Sequence, residues 1–378
     1  MTEEVRYYED VARVTGEGDG VTGLGGGTLA ALRMAGLDPR EVARAVRAAL
    51  DEDFAYGPDV TSGATVEGRT VTADVVAREA GVLAGVPVAL AVFDLIDGYA
   101  DRGDVSRRPE AIAGGARDGA GAGGRAGSGT ALVTERVAAG DAIRRVRGTA
   151  LAAEGERIGA GDAVLRVSGP APAVLGAERT MLNFLTHLSG IATATRAWAD
   201  AIEGTGAVVR DTRKTTPGLR VLEKYAVRCG GGRNHRMGLG DAALIKDNHV
   251  AAAGGVTAAV LAVQAAVARS GSAGSGSAGS GSAAGLVVEV ECDSLAQVRE
   301  ALRAGAHFLL LDNMPLDSLR EAVAMASGYY GVRLEASGGL RLSNARAVAE
   351  TGVDYLAVGA LTHSSPALDL GLDFAAEG

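Results

Sequence analysis

Phe308-Leu309-Leu310-Leu311-Asp312 is a short apolar run that stops on a carboxylate, and its pattern recurs through the second half of the chain. Ala207-Val208-Val209 precedes Arg210, Ala243-Leu244-Ile245 precedes Lys246, and Leu286 to Val290 precedes Glu291. Val332 to Leu334 runs into Glu335, and Tyr355 to Val358 into Gly359. Apolar runs this short, bounded by polar or Gly residues, read as buried strands. Helical patterns stand between several of them, such as Ser294 to Ala304 and Ser343 to Glu350. Strands alternating with helices mean a parallel sheet or barrel. Six strands are countable, so the expected class is α/β with an incomplete (β/α) barrel.

Ahead of these strands, Glu178 to Ala199 has a helical apolar face made by Met181, Leu182, Leu185, Leu188 and Ile191. Leu37 to Leu50 is also helical in rhythm, with Asp38 placed to cap it and Pro39 at the first helical position. Val71 to Val76 and Leu83 read as strands, and Val86 to Ile96 as a helix. Val133 to Val146 and Ile158 to Val167, each with acid-Gly turns, suggest a small β-rich layer. Gly23-Leu24-Gly25-Gly26-Gly27 has no apolar strand before it, so it reads as part of a loose tail and not as a dinucleotide fingerprint. Residues 111–130 and the Gly/Ser stretch 270–284 are low-complexity insertions, the second a linker inside the barrel.

Composition narrows the function. The chain has 378 residues, 47% hydrophobic and 22% charged, enough for a real core and about two domains. Net charge is −9, with 1 Trp, 8 Tyr and 5 Phe, which disfavours a nucleic-acid binder. Cys229 and Cys292 are too few for a disulfide scaffold or a four-thiolate zinc site. Val250 to Ala268 carries no charge but is mostly Ala, Gly and Val, so it reads as a buried-face helix and not a membrane span. With no apolar leader visible, a cytoplasmic protein is expected.

Of the 37 basic residues only Lys214, Lys224 and Lys246 are lysine. A lysine kept against an arginine background marks places where a compact, tunable ammonium is needed. All three fall in Arg210 to Lys246, where nine Lys and Arg face three acids, a local +6 in a chain that is otherwise −15. With Gly230-Gly231-Gly232 inside it, this stretch resembles a pocket for an anionic small molecule.

Active sites of such barrels lie at the C-terminal strand ends. Those ends carry Arg213 and Lys214, then Lys246, Glu291, Asp312, Ser337-Gly338-Gly339 and Gly359-Ala360. Ammonium groups suit phosphate oxygens, and carboxylates on neighbouring strands suit a magnesium ion shared with phosphate. Gly-rich turns suit a phosphate monoester, and Glu289 shares a strand face with Glu291. Arg213, His235, Arg236 and Arg179 exceed what phosphate needs, and arginine forks suit a second substrate bearing carboxylates. An Asp at a strand end is also a common helix cap, a structural role for His235 is equally open, and His307, at a strand start, reads as core.

Taken together, Leu188-Ser189-Gly190-Ile191-Ala192-Thr193, Asp211-Thr212-Arg213-Lys214-Thr215-Thr216-Pro217, Gly231-Gly232-Arg233-Asn234-His235-Arg236, Ile245-Lys246-Asp247-Asn248-His249 and Leu311-Asp312-Asn313-Met314 resemble the nicotinate-nucleotide pyrophosphorylase (quinolinate phosphoribosyltransferase) family. The resemblance runs from about Leu37 to Phe374. It implies an N-terminal α/β sandwich followed by an incomplete barrel of about six strands. The expected division is then a tail at 1–29, a sandwich domain at 30–182 rejoined by 364–378, and a barrel at 183–363. It implies conversion of quinolinate and phosphoribosyl pyrophosphate, with magnesium, to nicotinate mononucleotide, pyrophosphate and carbon dioxide. In that family the counterparts of Arg213, His235 and Arg236 bind quinolinate, with Lys214 beside them. The counterpart of Arg179 reaches in across a homodimer interface. Lys214 and Lys246 match phosphate-binding lysines, Glu291 and Asp312 the acids near ribose and metal, and Ser337, Gly338 and Gly359 the 5′-phosphate loops. Three other readings stay open on the residues alone: a molybdenum-operon relative of the same family, a Schiff-base lyase using Lys246, and a phosphosugar-binding barrel.

Overall fold

The computed structural model describes residues 22–100, 145–272 and 286–374. The insertion 111–130, most of the 270–284 linker, residues 133–144 and the first 21 residues lie outside them. The chain divides into two compact units, Met1–Thr186 with Asp369–Gly378, and His187–Leu368. The division falls four residues beyond the expected 182/183 boundary, inside one long helix.

The first unit opens with α1 (Gly26–Met34), which buries Thr28, Leu29, Ala31 and Leu32. The end of the Gly-rich stretch is therefore not a tail. Gly25 caps this helix and donates its N–H to Asp94 Oδ2 at 2.8 Å. In α2 (Pro39–Asp53) the Asp38 carboxylate accepts from Arg40 N, with Pro at the start, as the sequence anticipates. A short α3 (Val60–Thr65) leads to β1 (Thr70–Ala77), β2 (Gly81–Val82) and α4 (Val86–Ala100). Then come β3 (Arg147–Ala150), β4 (Arg157–Ile158) and β5 (Ala163–Pro170). The main sheet runs β12-β1-β5-β3, where β12 is Leu370–Phe374 from the chain's far end, and β2 pairs with β4. Along β1, Val71, Ala73, Val75 and Ala77 are buried on one face, while Asp74 on the other takes a two-pronged bond from Arg166 at 2.7 and 2.8 Å. Helix α4 lies so close to β3 that a Cβ on Gly148 would come within 2.6 Å of Leu90.

The helix α5 (Ala171–Ala201) contains the division between the units. The second unit then supplies β6 (Val208–Arg210), α6 (Arg220–Cys229), β7 (Ala242–Ile245), α7 (Asp247–Ala253) and α8 (Val256–Ser272). It continues with β8 (Val287–Cys292), α9 (Leu295–Arg303), β9 (Phe308–Asp312), α10 (Leu316–Ala326), β10 (Arg333–Ser337), α11 (Leu342–Ala349), β11 (Tyr355–Ala357) and α12 (Ala360–His363). All six strands anticipated from the apolar runs are present, in the parallel order β6-β11-β10-β9-β8-β7. The first and second strands in sequence are the two edges, so the barrel is open between β6 and β7.

Two local expectations are corrected. Val250 to Ala268 is not one buried-face helix. Gly254 and Gly255, at φ 88° and 140°, break it into α7 and α8, bent by 92°, and Leu261 is 52% exposed. No single helix among the described residues is long and apolar enough to cross a membrane. His307 is exposed and not core, because it precedes the first inward position of β9.

Candidate active site

At the open edge, residues after α6 return to pair with β6: Arg233 bridges Arg210, and its N–H donates to Val209 O at 2.9 Å. This places Arg236 beside Arg213, with His235 just ahead of it in the chain. The triple glycine makes the return possible by its lack of side chains. A Cβ on Gly230 would lie 2.5 Å from both Ala192 O and Thr195 Cβ, and one on Gly232 would lie 2.8 Å from Thr195 and Val227. These glycines are a close-packing device against α5, not a flexible anion loop.

Beneath them Asp211, fully buried, gathers the turn. It accepts from Lys224 Nζ, from His235 N at 2.8 Å and from Asn234 Nδ2 at 2.5 Å. Lys224 is 0% exposed and gives a further bond to His235 O at 2.9 Å. Burial pulls its ammonium below the ordinary lysine value, and Asp211 opposes that. A second buried acid, Glu223, accepts from Thr216 N at 3.0 Å and pairs with His187 at 2.9 Å. It pins the far end of the segment that carries Arg213 and Lys214. Thr362 Oγ1 holds the Lys214 carbonyl at 2.8 Å.

The expected residues fall into three neighbouring groups at the C-terminal strand ends. Lys246 Nζ sits 2.8 Å from Glu291 Oε2, and Glu291, Asp293 and Asp312 bring carboxylate oxygens within 4.8 Å of one another. Lys214 lies against Gly359, where an added Cβ would stand 2.9 Å from its Cδ. Arg236 and Arg213 are the third group: burial first, then the Arg213 charge, hold the Arg236 guanidinium below its ordinary value, with Glu289 and Asp241 opposing. Arg213 Nε is buried without a hydrogen-bond partner among the described residues. Two crowded guanidiniums, one with an unsatisfied donor, suit an anionic ligand with more than one oxygen. Arg179 is exposed on α5, in the stretch grouped with the first unit.

Ser337 is in register with Asp312 across β10 and β9. The next turn is built around Asn313, which alone among the described non-Gly residues has a positive φ, 53°. Asn313 donates Nδ2 to Asp312 Oδ2 at 2.6 Å and its N–H to Ser337 O at 2.8 Å. Gly338, at φ 79°, leaves room for it, since a Cβ there would be 2.3 Å from Asn313 Oδ1. Gly338→Ala is therefore expected to cost more than the ~1–2 kcal/mol of left-handed backbone strain. In urea unfolding, adding Asn313→Ala to it should return the clash part of that loss.

Within the barrel below these ends, Glu289 and Glu335 are buried on inward-facing strand positions. His235 Nε2 is 2.7 Å from Glu289 and 3.8 Å from Glu335, and Nδ1 accepts from Arg236 N at 2.7 Å. Arg210 pairs with Glu335 and lies over the Tyr355 and Phe308 rings at 4.8 and 5.2 Å. Burial, then the Glu289 charge, push the Glu335 carboxyl up to about 8, against Arg210. An unfolded glutamate ionises near 4.3, so between those values the folded state holds the extra proton. Stability contributed here is present at low pH and is lost as pH rises through the folded value. Wild type should accordingly lose denaturant resistance relative to Glu335→Gln between about pH 5 and pH 9. A constant difference across that range would refute this.

Sequence reading missed several of these groups. Asp293 directly follows the end of β8 and looks like an ordinary helix approach. Asp211, Glu223 and Glu335 are set apart by their burial, which shows that they must be paired and which the sequence does not display.

A profile described as the quinolinate phosphoribosyl transferase C-terminal domain matches residues 191–373, and the N-terminal domain of the same family matches 129–189. The chain is 47% identical over 333 residues to nicotinate-nucleotide pyrophosphorylase (carboxylating) of Mycobacterium leprae, covering 87% of this chain and 95% of that protein. It is 42% identical over 211 residues to quinolinate phosphoribosyltransferase (decarboxylating) 1b of Nicotiana tabacum, covering 52% and 56%. The solved nicotinate-nucleotide pyrophosphorylase from Francisella tularensis superposes with a TM-score of 0.69 at 32% identity, covering 89% of this chain and 96% of that one. Matches across both units at this identity, on a fold that superposes over most of both chains, establish that the chain belongs to the quinolinate phosphoribosyltransferase family.

Proposed function

We propose that this chain transfers the phosphoribosyl group of 5-phosphoribosyl 1-pyrophosphate to quinolinate with decarboxylation, making nicotinate mononucleotide for de novo NAD biosynthesis. Within the family, the observation that carries this reading is the Arg213–Arg236 pair with its unsatisfied buried donor, beside the Lys246–Glu291 and Asp312 group. One place suits a dicarboxylate and the other a phosphorylated sugar.

Arg213, Arg236, His235 and Lys214 form the quinolinate side, and Arg179 of the partner subunit in a homodimer completes it. Lys214 and Lys246 neutralise phosphate charge, Glu291 and Asp312 address ribose and metal, and Ser337, Gly338 and Gly359 leave room for the 5′-phosphate. Glu291, Asp293 and Asp312 offer hard oxygen donors within 4.8 Å of one another, a set that fits magnesium. When bound there, the ion would offset charge on the pyrophosphate.

The pyridine nitrogen forms the new bond to ribose C1 as the C1–oxygen bond to pyrophosphate breaks, and C1 is cation-like between the two. The adjacent ring carboxylate then leaves as carbon dioxide. Its electron pair stays on the ring carbon, where the positively charged nitrogen stabilises it until a proton replaces it. The chain's own groups position and neutralise, with no covalent enzyme intermediate. A Schiff-base role does not suit Lys246, which is half-exposed and ion-paired, where such a lysine is desolvated.

The direct test is product analysis after mixing the protein with quinolinate, phosphoribosyl pyrophosphate and magnesium. Nicotinate mononucleotide and carbon dioxide in equal amounts are expected. Bound phosphoribosyl pyrophosphate without product would turn the reading toward a relative with another acceptor.

A further inference from the structure

His235 lies between two things that matter to the carboxylate side of the site. Its Nδ1 accepts from the main-chain N–H of Arg236, so the ring carries a proton on Nε2, which points at Glu289 Oε2, 2.7 Å away. His235 is 8% exposed and Glu289 3% exposed, so this contact is made out of water. The main chain of His235 is separately locked, its N–H on Asp211 and its carbonyl on Lys224. What remains to be held is the ring, gripped at Nδ1 by the Arg236 N–H and at Nε2 by Glu289. The other oxygen of Glu289, Oε1, is buried and has no hydrogen-bond partner among the described residues. A carboxylate held at that cost has a use for the oxygen that is engaged.

We propose that Glu289 is a positioning residue for the carboxylate-binding side of the site, acting through the His235 ring on Arg236. The inference rests on the phosphoribosyl-transfer reading above. Glu289 is buried on β8, two positions before Glu291, and meets His235 Nε2, while Glu335 stands 3.8 Å from the same nitrogen. With the ring fixed, its Nδ1 fixes the Arg236 N–H and thus where that side chain leaves the chain. The Arg236 guanidinium is anchored at its other end on Ala242 O at 3.3 Å, and the negative charge of Glu289 offsets the crowding by Arg213. Glu289 does not touch the ligand space directly in this account. It sets the geometry of groups that do.

Three consequences separate this from a purely structural role. Glu289→Gln should raise KM for quinolinate about tenfold, while KM for phosphoribosyl pyrophosphate and the magnesium requirement move less than about twofold. Glu289→Ala should do more in the same direction. In a double-mutant cycle on KM for quinolinate, Glu289→Gln should add no more than about twofold once His235 is already Ala, the remainder being its charge on Arg236. The cycle is run on the full-length protein, with urea midpoints for each variant to set aside any that fails to fold, Gln being the variant least prone to that. Additive effects of Glu289 and His235, or equal changes in both Michaelis constants, would overturn the inference. A change in the magnesium requirement would also overturn it, by showing disturbance of Glu291 instead. Wild type that makes no nicotinate mononucleotide would fail the reaction reading itself, a result distinct from these.

Discussion

Lys224→Met will destabilise the second unit by about 3–5 kcal/mol, read as a fall in the urea midpoint of that unit's transition. The side chain is wholly buried, and methionine nearly matches its volume, so packing is little changed. What is lost is the partner of a buried carboxylate. Asp211 would keep its bonds from His235 N and Asn234 Nδ2, but its charge would have no cation against it in a dry setting. His235 O would also lose a donor. Lys224→Arg should recover little, since a planar guanidinium cannot enter a space shaped for an ammonium. The usual escape for a buried pair, replacing both members by apolar residues at small cost, is closed here. Asp211→Leu would strand the two other donors that Asp211 satisfies. A K224M protein with an unchanged midpoint would show that Asp211 finds charge elsewhere and that the turn does not depend on this pair.

That lysine also shows what could be read from sequence and what could not. Its retention among arginines marked it as a place where only an ammonium serves, yet its role is neither catalytic nor phosphate-binding. Composition flagged the constraint, and only the buried geometry told its kind. The barrel was legible because each strand is a run of apolar residues with turn residues at its end, a purely local pattern. Which two strands would be edges was not legible, because it depends on pairings between distant segments. The triple glycine misled for a related reason. Glycine permits both unusual backbone angles and close approach, and choosing between them needs the partner, here Thr195 and Ala192 of α5. The same limit hid the break at Gly254-Gly255, where an uncharged run looked like one helix. The candidate residues could be placed at strand ends from the sequence because a parallel barrel puts its loops there. Asp293, Asn313 and the buried acids were not assigned, since their roles rest on contacts that no spacing encodes.

Arg213→Ala will raise KM for quinolinate about a hundredfold and leave KM for phosphoribosyl pyrophosphate within about threefold. A hundredfold corresponds to roughly 2.7 kcal/mol, about what one or two charge-assisted hydrogen bonds contribute when partly desolvated. The structure gives the reason to place the loss on this substrate. Arg213 Nε is a buried donor with nothing among the described residues to receive it, and its charge crowds Arg236. On the proposed assignment of quinolinate to this pair, both penalties are carried by the free enzyme and relieved when carboxylates arrive, so the loss falls on quinolinate and not on phosphoribosyl pyrophosphate. Removing Arg213 should also let the Arg236 guanidinium return toward its ordinary value, which partly offsets the loss. For that reason Arg213→Lys, which keeps the charge and the crowding but loses the fork, is expected to recover less than a tenth of the affinity. Steady-state rates with each substrate varied in turn decide the matter. Equal increases in both Michaelis constants would mean that Arg213 serves the whole turn and not the carboxylates.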